Sequence, residues 1–278
     1  MKNALIAAVL VLAGSLFVQA LSASPEDDVR LYQDYFKKRF PSIDFQEFAN
    51  GVYAISAQQR ENWEAIEEFP PYEPFIERGE SMWNAKFSNG RSYADCFPNG
   101  PGSQHLYPQW SKEQGKVITL ALAINQCREA NGEQPLKYMK GPINDILAYM
   151  AFESRGQLTN VAIPVDDPRA LEAYEKGKEF YFTRRGQLNF SCDQCHFPNS
   201  GMNLRSDVLS PAVGQTTGWP VYRSGWGALG TLHRRYSGCL KQVRAKPFAA
   251  QGEEYRNLEY FHTYMSNGIG LNGPAARK

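Results

Sequence analysis

Apolar side chains recur along the chain with the spacing of amphipathic helices, and turn-rich stretches separate these segments. The pattern begins at Ser24 and Pro25, which are typical of a helix start, and continues to Pro41. The later segments with helical spacing are 75–86, 117–128, 143–153, 168–182, 232–243 and 253–265. Proline and aromatic residues are frequent, which favours compact helices joined by irregular loops over a regular sheet. The pattern predicts a mostly α protein.

The first residues follow a different pattern, because they are apolar without a polar face. Residues 4–18 are apolar apart from one glycine and one serine, and small residues follow at Ala20 and Ala23. Such a stretch is too short to span a membrane and has the layout of a secretory signal peptide. We therefore predict a signal peptide over residues 1–23, cleaved after Ala20 or Ala23. We also predict a soluble periplasmic mature protein with no membrane span.

The most specific motif in the chain is Cys192-Asp193-Gln194-Cys195-His196. Two thiols at this spacing can add to the two vinyl groups of one macrocycle, and the adjacent imidazole then reaches its iron. A zinc site would need a second pair of ligands at suitable spacing, and the sequence has no such pair. The motif predicts one covalently bound haem c, attached through Cys192 and Cys195, with His196 as an axial ligand.

Two stretches of the chain repeat one order of motifs. The matching segments are 76–80 with 174–178, 96–99 with 195–199, Cys127 with Cys239, and 148–150 with 263–265. A helix, a cysteine loop, a central cysteine and a closing helix are what a small cytochrome c domain needs. We therefore predict two cytochrome c-like domains in tandem, over 71–160 and 161–278, after an N-terminal extension over 24–70.

The first domain has lost its haem, because it lacks one haem cysteine and the histidine. It keeps Cys96 and Cys127, which we expect to form a disulfide in an exported protein. The chain has five cysteines, so Cys239 is then the one left unpaired. A lone thiol in an oxidising compartment needs a role.

The haem motif is followed by Arg235-Tyr236-Ser237-Gly238-Cys239-Leu240. With the duplicated plan, this makes the chain resemble the SoxA family, the larger subunits of the SoxAX cytochromes of bacterial thiosulfate oxidation. The resemblance covers essentially all of the mature chain. It is to the single-haem type, in which a disulfide occupies the vacated site.

The resemblance implies an L-cysteine S-thiosulfotransferase. Such an enzyme joins thiosulfate oxidatively to a cysteine of the SoxYZ carrier protein and passes two electrons to cytochrome c. The resemblance also implies a heterodimer with a SoxX cytochrome c subunit. It makes Cys239 the distal iron ligand and catalytic cysteine, often found as a persulfide, and Arg235 the substrate-binding arginine.

The charge around Cys239 agrees with that role. Arg234, Arg235, Lys241 and Arg244 surround it in sequence. Cations lower the pKa of a thiol and so favour the reactive thiolate. Guanidinium groups also form paired hydrogen bonds with oxyanions such as the sulfonate end of thiosulfate.

Three functions remain open on the sequence alone. The first is the enzyme acting through Cys239. The second is a plain periplasmic electron carrier, in which His233, Met202 or Met265 is the distal ligand. The third is a binding scaffold in which haem only stabilises a docking surface. The net charge of +1 gives no argument for a nucleic-acid partner.

Overall fold

The computed structural model describes residues 24–277, so the predicted signal peptide lies outside the described residues. Helices make up about half of these residues, above the roughly 30–35% of an average soluble domain. The strands are only two or three residues long. Within 24–277, no helix combines the length and the apolar character that crossing a membrane requires.

The elements follow one another in an order that twice places a small hairpin before a helix. The helices are α1 (Pro25–Arg39), α2 (Val52–Ile55), α3 (Ala57–Glu67), α4 (Glu73–Asn84), α5 (Leu120–Ala130), α6 (Ile143–Glu153), α7 (Pro168–Phe182), α8 (Cys192–His196), α9 (Leu232–Gln242) and α10 (Glu253–Tyr264). The strands are β1 (Gln109–Ser111), β2 (Lys116–Ile118), β3 (Asn203–Leu204), β4 (Asp207–Val208), β5 (Val221–Arg223), β6 (Ala228–Gly230) and β7 (Ala275–Arg277). Antiparallel pairs join β1 to β2, β3 to β4 and β5 to β6, while β7 runs parallel to β5.

Local capping explains where several predicted helices begin. The side chain of Ser24 accepts a hydrogen bond from the backbone of α1, and that of Asp167 does the same for α7. Thr119 caps α5, so this helix begins after the position predicted from its apolar spacing. Val117 instead lies in β2, because a short strand precedes the cap. The predicted helices are therefore present, with ends that differ by a few residues.

From its hairpin to its closing helix, each half of the chain contains the same elements, and these match at a constant offset in sequence. The β1–β2 hairpin precedes α5, and the β5–β6 hairpin precedes α9. Thr119 caps α5 and Thr231 caps α9, each through its hydroxyl oxygen. Cys127 and Cys239 then stand at the same position of their helices. The matched order includes hairpins that the sequence pattern did not indicate.

Each half also contains a close crossing of two helices. In the first half α4 crosses α6, and in the second α7 crosses α10. A Cβ atom built on Gly79 would lie 2.0 Å from the carbonyl oxygen of Asp145. One built on Gly177 would lie 2.0 Å from that of Asn257. Only glycine allows backbones to approach this closely, so both crossings depend on it.

The closing helices match in a different register from the one that the sequence comparison gave. The Cβ of Tyr149 lies 2.8 Å from a Cβ built on Gly79, and that of Phe261 lies 2.9 Å from one built on Gly177. Tyr149 therefore corresponds to Phe261, whereas the sequence match set it beside Tyr264. That register is wrong by about one helical turn. Aromatic residues recur on each turn of this face, so a short match fits more than one register.

The residues of the predicted N-terminal extension are part of the core of the second half. Phe36 of α1 and Phe48 of the following 3-10 helix are fully buried in the same apolar cluster as α7, α9 and α10. Phe197, which follows the haem motif, packs against Tyr32 and Phe36, with ring centroids 4.8 and 4.9 Å apart. A second cluster is built from α4, α5 and α6. Helix α1 thus covers the segment that carries the haem motif.

Candidate haem site

The haem motif forms the short helix α8. The backbone N–H of Ser191, which precedes α8, donates to the side chain of Gln194 at 3.1 Å and fixes the helix start. Residues three apart on a helix share a face, so Cys192 and Cys195 point to the same side. His196 is the last residue of this single turn. The local fold therefore presents two thiols and an imidazole together.

These groups border a cavity of about 690 Å³, within the roughly 300–1,000 Å³ typical of cofactor sites. Cys192, Cys195 and His196 form one part of its wall. Cys239 and Arg235 form another part. The fold thus brings together the five residues that the sequence analysis assigned to haem and substrate.

The environment of His196 suits an iron ligand. Its Nδ1 lies 2.9 Å from the carbonyl oxygen of Ser210 and 2.7 Å from the side-chain amide of Gln215. Nε2 is therefore the ring nitrogen left for a metal. Burial, and to a smaller extent the positive charge of Arg235, lower the pKa of His196 to about 4. A neutral imidazole is the form that binds iron, so these residues fit a haem.

Helix α9 carries the predicted catalytic residues on its cavity face. Arg235 and Cys239 lie four residues apart, which places them one turn from each other on this face. Burial raises the pKa of the Cys192 thiol to about 12, and the nearby Cys239 adds to this effect. The lone thiol therefore lies close to the haem-attachment thiols.

The other candidate distal ligands, His233, Met265 and Met202, differ in their positions relative to the cavity. His233 lies behind the cavity wall, where its Nδ1 accepts from the backbone of Gln251 and its Nε2 lies 3.0 Å from Glu259. Met265 is buried in the core. Met202 is exposed and borders the cavity. Among the alternatives, Met202 alone is placed where it could approach an iron.

The cations near Cys239 in sequence mostly point elsewhere. Arg234 lies on another side of α9, with its guanidinium 4.1 Å from the centroid of the Trp226 ring. Neither Lys241 nor Arg244 borders the cavity. Only Arg235 of this group faces the cavity, because neighbours in a helix point in different directions.

Other arginines, distant in sequence, supply positive charge to the cavity. These residues are Arg185, Arg205, Arg223 and Arg277. The parallel pairing of β5 with β7 sets Arg223 beside Arg277. Burial lowers the pKa of both, and repulsion from Arg235 lowers that of Arg223 further. Sequence reasoning missed Arg223 and Arg277, because only the pairing of two short, distant strands brings them here.

The first half has a disulfide at the corresponding place. Cys96 is bonded to Cys127, with an S–S distance of 2.02 Å. Asn131 donates to the carbonyl oxygen of Cys127 at 2.8 Å, and its amide nitrogen lies 3.6 Å from the sulfur of Cys96. Cys127 stands on α5 where Cys239 stands on α9.

Comparison with known proteins gives concordant results. Residues 78–158 match the family described as SoxA/TsdA, cytochrome c domain. This segment lies in the half that lacks the Cys-x-x-Cys-His motif. The chain is 62% identical over 279 residues to L-cysteine S-thiosulfotransferase subunit SoxA of Allochromatium vinosum, covering 100% of this chain and 99% of that protein.

Two further matches are nearly as extensive. The subunit of the same name from Chlorobaculum tepidum is 50% identical over 251 residues, which cover 90% of this chain and 87% of that protein. The crystal structure of SoxXA from P. pantotrophus contains a chain with a TM-score of 0.70 and 32% identity. That match covers 78% of this chain and 84% of the other.

Proposed function

The chain belongs to the SoxA family of L-cysteine S-thiosulfotransferase subunits, and we propose that it acts through Cys239 at a single, covalently bound haem c. Its function is that of the family, a c-type haem subunit of the enzyme that oxidises thiosulfate. When bound, the haem would supply a one-electron redox centre. The observation that carries the proposal is that Cys192, Cys195, His196 and Cys239 border one cavity.

In this proposal the two halves are cytochrome c-like domains, over 71–160 and 161–278, with 24–70 as an extension. The repeated hairpins, the paired glycine crossings and the matched positions of Cys127 and Cys239 support a duplication. The first domain has a disulfide where the second has haem. Cys192 and Cys195 would hold the haem through thioether bonds, and His196 and Cys239 would bind its iron.

The proposed chemistry joins two sulfur atoms. Arg235 holds the sulfonate oxygens of thiosulfate, because a guanidinium donates two parallel hydrogen bonds to an oxyanion. The Cys239 thiolate and the outer sulfur of thiosulfate each lose one electron as an S–S bond forms between them, and cytochrome c takes both electrons. A carrier thiolate then attacks that outer sulfur, which transfers –S–SO₃⁻ to the carrier and releases Cys239 as a thiolate. The product is a cysteine S-thiosulfonate on the carrier.

The partners follow from the same chemistry. The crystal structure that resembles this chain is of SoxXA, and we place this chain in a heterodimer with a SoxX cytochrome c subunit. SoxYZ supplies the acceptor cysteine, and a cytochrome c accepts electrons. The c-type haem and the N-terminal sequence favour the periplasm as the location.

A paired measurement on Cys239→Ala tests the proposal. The haem should stay attached, because Cys192 and Cys195 are untouched. The ferric spectrum should change as the distal ligand is lost, and coupling of thiosulfate to SoxYZ should be abolished. An unaltered spectrum together with a normal rate would remove Cys239 from the site.

Met202→Leu is the matched control, because Met202 is the alternative ligand that borders the same cavity. We expect its spectrum and its coupling rate to equal those of the unmodified protein. A plain electron carrier with a methionine ligand predicts the reverse, namely a changed spectrum in Met202→Leu and none in Cys239→Ala.

A further inference from the structure

A chain of polar side chains connects the haem motif to the helix that carries the proposed catalytic residues. His196 Nδ1 lies 2.7 Å from the side-chain amide of Gln215. The other end of that amide lies 2.9 Å from Nε2 of His262, whose Nδ1 lies 3.0 Å from the hydroxyl of Tyr236. His262 and Tyr236 are buried. Tyr236 belongs to α9. This hydrogen-bond network therefore extends from His196, one proposed iron ligand, to the helix that carries Cys239, the other proposed ligand.

Two directions of hydrogen bonding fit these distances. With its nitrogen toward His196, Gln215 donates to an unprotonated Nδ1, His262 donates from Nε2, and Tyr236 donates to His262. With its oxygen toward His196, Gln215 accepts from a protonated Nδ1 and its amide nitrogen donates to Nε2 of His262. Nδ1 of His262 then donates to the hydroxyl of Tyr236. The two ends of a glutamine amide have nearly the same shape, so the surrounding network decides between them.

The carbonyl oxygen of Ser210 decides in favour of the second direction. It lies 2.9 Å from Nδ1 of His196 and can only accept a hydrogen bond, so Nδ1 must carry a proton. A metal on Nε2 requires the same protonation. A protonated Nδ1 must then face the oxygen of the Gln215 amide, and the hydroxyl of Ser210, 2.8 Å from the amide, donates to that oxygen.

We infer that Gln215 is a positioning residue for the proximal histidine, and that His262 accepts from its amide and carries its own proton on Nδ1. The inference rests on the proposed function in one respect, namely that His196 binds the iron. The indole N–H of Trp219 donates to the backbone oxygen of Gln215 at 2.8 Å and fixes this residue in place. At the other end of the network, Nδ1 of His262 donates to the hydroxyl of Tyr236.

The first half of the protein supports this assignment. At the same offset that matches Cys127 with Cys239, His262 corresponds to Met150 and Tyr236 to Ile124. Both of these residues are fully buried and apolar. The half without the Cys-x-x-Cys-His motif thus has no polar side chains at these two positions. Polar side chains are costly to bury, and here they occur in the half that has a histidine to orient.

The hydrogen bond to Gln215 should make His196 a stronger electron donor to the iron. An acceptor on Nδ1–H makes an imidazole a stronger donor, and a stronger donor lowers the reduction potential of the haem. Gln215→Leu removes one acceptor and should raise the midpoint potential of the purified haem-loaded protein. Gln215→Glu restores an acceptor and should return the potential to that of the unmodified protein or below it.

A matched control is Gln242→Leu, which replaces an amide that borders the same cavity from α9. Its midpoint potential should equal that of the unmodified protein. An equal potential in Gln215→Leu and Gln242→Leu would overturn the positioning role. So would a potential in Gln215→Glu as high as in Gln215→Leu.

The direction of the hydrogen bonds in this network can be measured without an activity assay. Nitrogen-15 spectra of histidine-labelled, reduced haem protein report which ring nitrogen of His262 carries the proton. We expect Nδ1, and a proton on Nε2 would overturn the inference. Absence of covalent haem on Cys192 and Cys195 would instead contradict the proposed function, so the two failures are distinguishable.

Discussion

Gly177 lies so close to Asn257 that a Cβ atom built on the glycine would come within 2.0 Å of the asparagine carbonyl oxygen. The two backbones meet at this point because α7 crosses α10, in the half that contains the Cys-x-x-Cys-His motif. Alanine in place of a helical glycine usually stabilises by about 0.5–1 kcal/mol. Here we expect Gly177→Ala to lower the free energy of unfolding by about 1–3 kcal/mol or more, because the backbones must separate. Urea denaturation of the haem-loaded protein measures it.

Two control variants make this prediction specific. Gly79→Ala meets the same obstacle at Asp145 and should be destabilising to a similar degree. Gly238→Ala on α9 meets no atom within 4 Å and should be neutral or stabilising. Equal stability of all three variants would show that the crossings tolerate a side chain.

The position of Arg235 predicts a specific loss of substrate binding. Arg235→Ala should lower kcat/KM for thiosulfate while haem stays attached. Loss of one charge-assisted contact costs roughly 1.5–3 kcal/mol, or roughly 10- to 150-fold in kcat/KM. Arg234→Ala is the control, since Arg234 packs on Trp226 outside the cavity. Steady-state kinetics with an unchanged dependence on thiosulfate would exclude Arg235 from the substrate site.

The disulfide predicts how many thiols remain reactive. In unreduced, denatured protein an alkylating reagent should label Cys239 and leave Cys96 and Cys127 unlabelled. Mass mapping of the peptides reads the outcome, and labelling of both Cys96 and Cys127 would contradict the bond.

Removing the disulfide should also lower stability. The bond spans a sequence separation of 31 residues. In the chain-entropy model such a loop contributes roughly 3–4 kcal/mol. The double variant Cys96→Ala, Cys127→Ala should lose about that much free energy of unfolding in urea. A variant as stable as the unmodified protein would assign the stability of this half to its apolar core.

Asp167 gives a prediction about pH. Hydrogen bonds from Arg169 and Trp110 hold the pKa of this buried carboxyl well below its usual range. The stabilisation is therefore complete above about pH 4, the unfolded value, and is lost as the pH falls toward the folded value. Asp167→Asn should be less stable than the unmodified protein at pH 7, and the difference should narrow as the pH falls below about 4.

Asp166→Asn is the control for this experiment, because Asp166 pairs with Lys112 at the surface. Exposed ion pairs contribute little, so we expect a small effect across the pH range. Urea denaturation at several pH values compares the two variants. A difference for Asp167→Asn that stays constant with pH would mean that the carboxylate charge is not what stabilises the fold.

Much of the fold could be predicted, because helices are encoded locally. The apolar spacing and the caps at Ser24 and Asp167 determine α1 and α7 without reference to distant residues. The hairpins could not be found in this way. Their strands are three residues long, which is too short to show an alternating pattern. The predicted match of Tyr149 with Tyr264 was wrong for a related reason. Aromatic residues recur on each turn of the closing helix, so a short sequence match does not fix the register.

In the candidate site, too, the residues of a local motif could be predicted and those brought together by folding could not. Cys192, Cys195 and His196 lie within five consecutive residues, so the motif can be recognised from the sequence alone. Gln215 becomes a partner of His196, and His262 a partner of Gln215, only when a loop and α10 pack near α8. Their roles depend on distances that no short motif contains.

The packing of Phe197 on α1 also has a consequence for how the protein is made. A ribosome completes Tyr32 and Phe36 long before it reaches Phe197. At usual rates of synthesis the delay is on the order of ten seconds. The apolar stripe of α1 has no native partner during that time and can associate with other exposed surfaces. This interval, which the proposed export to the periplasm lengthens, contributes to the risk of aggregation in addition to the stability of the finished core.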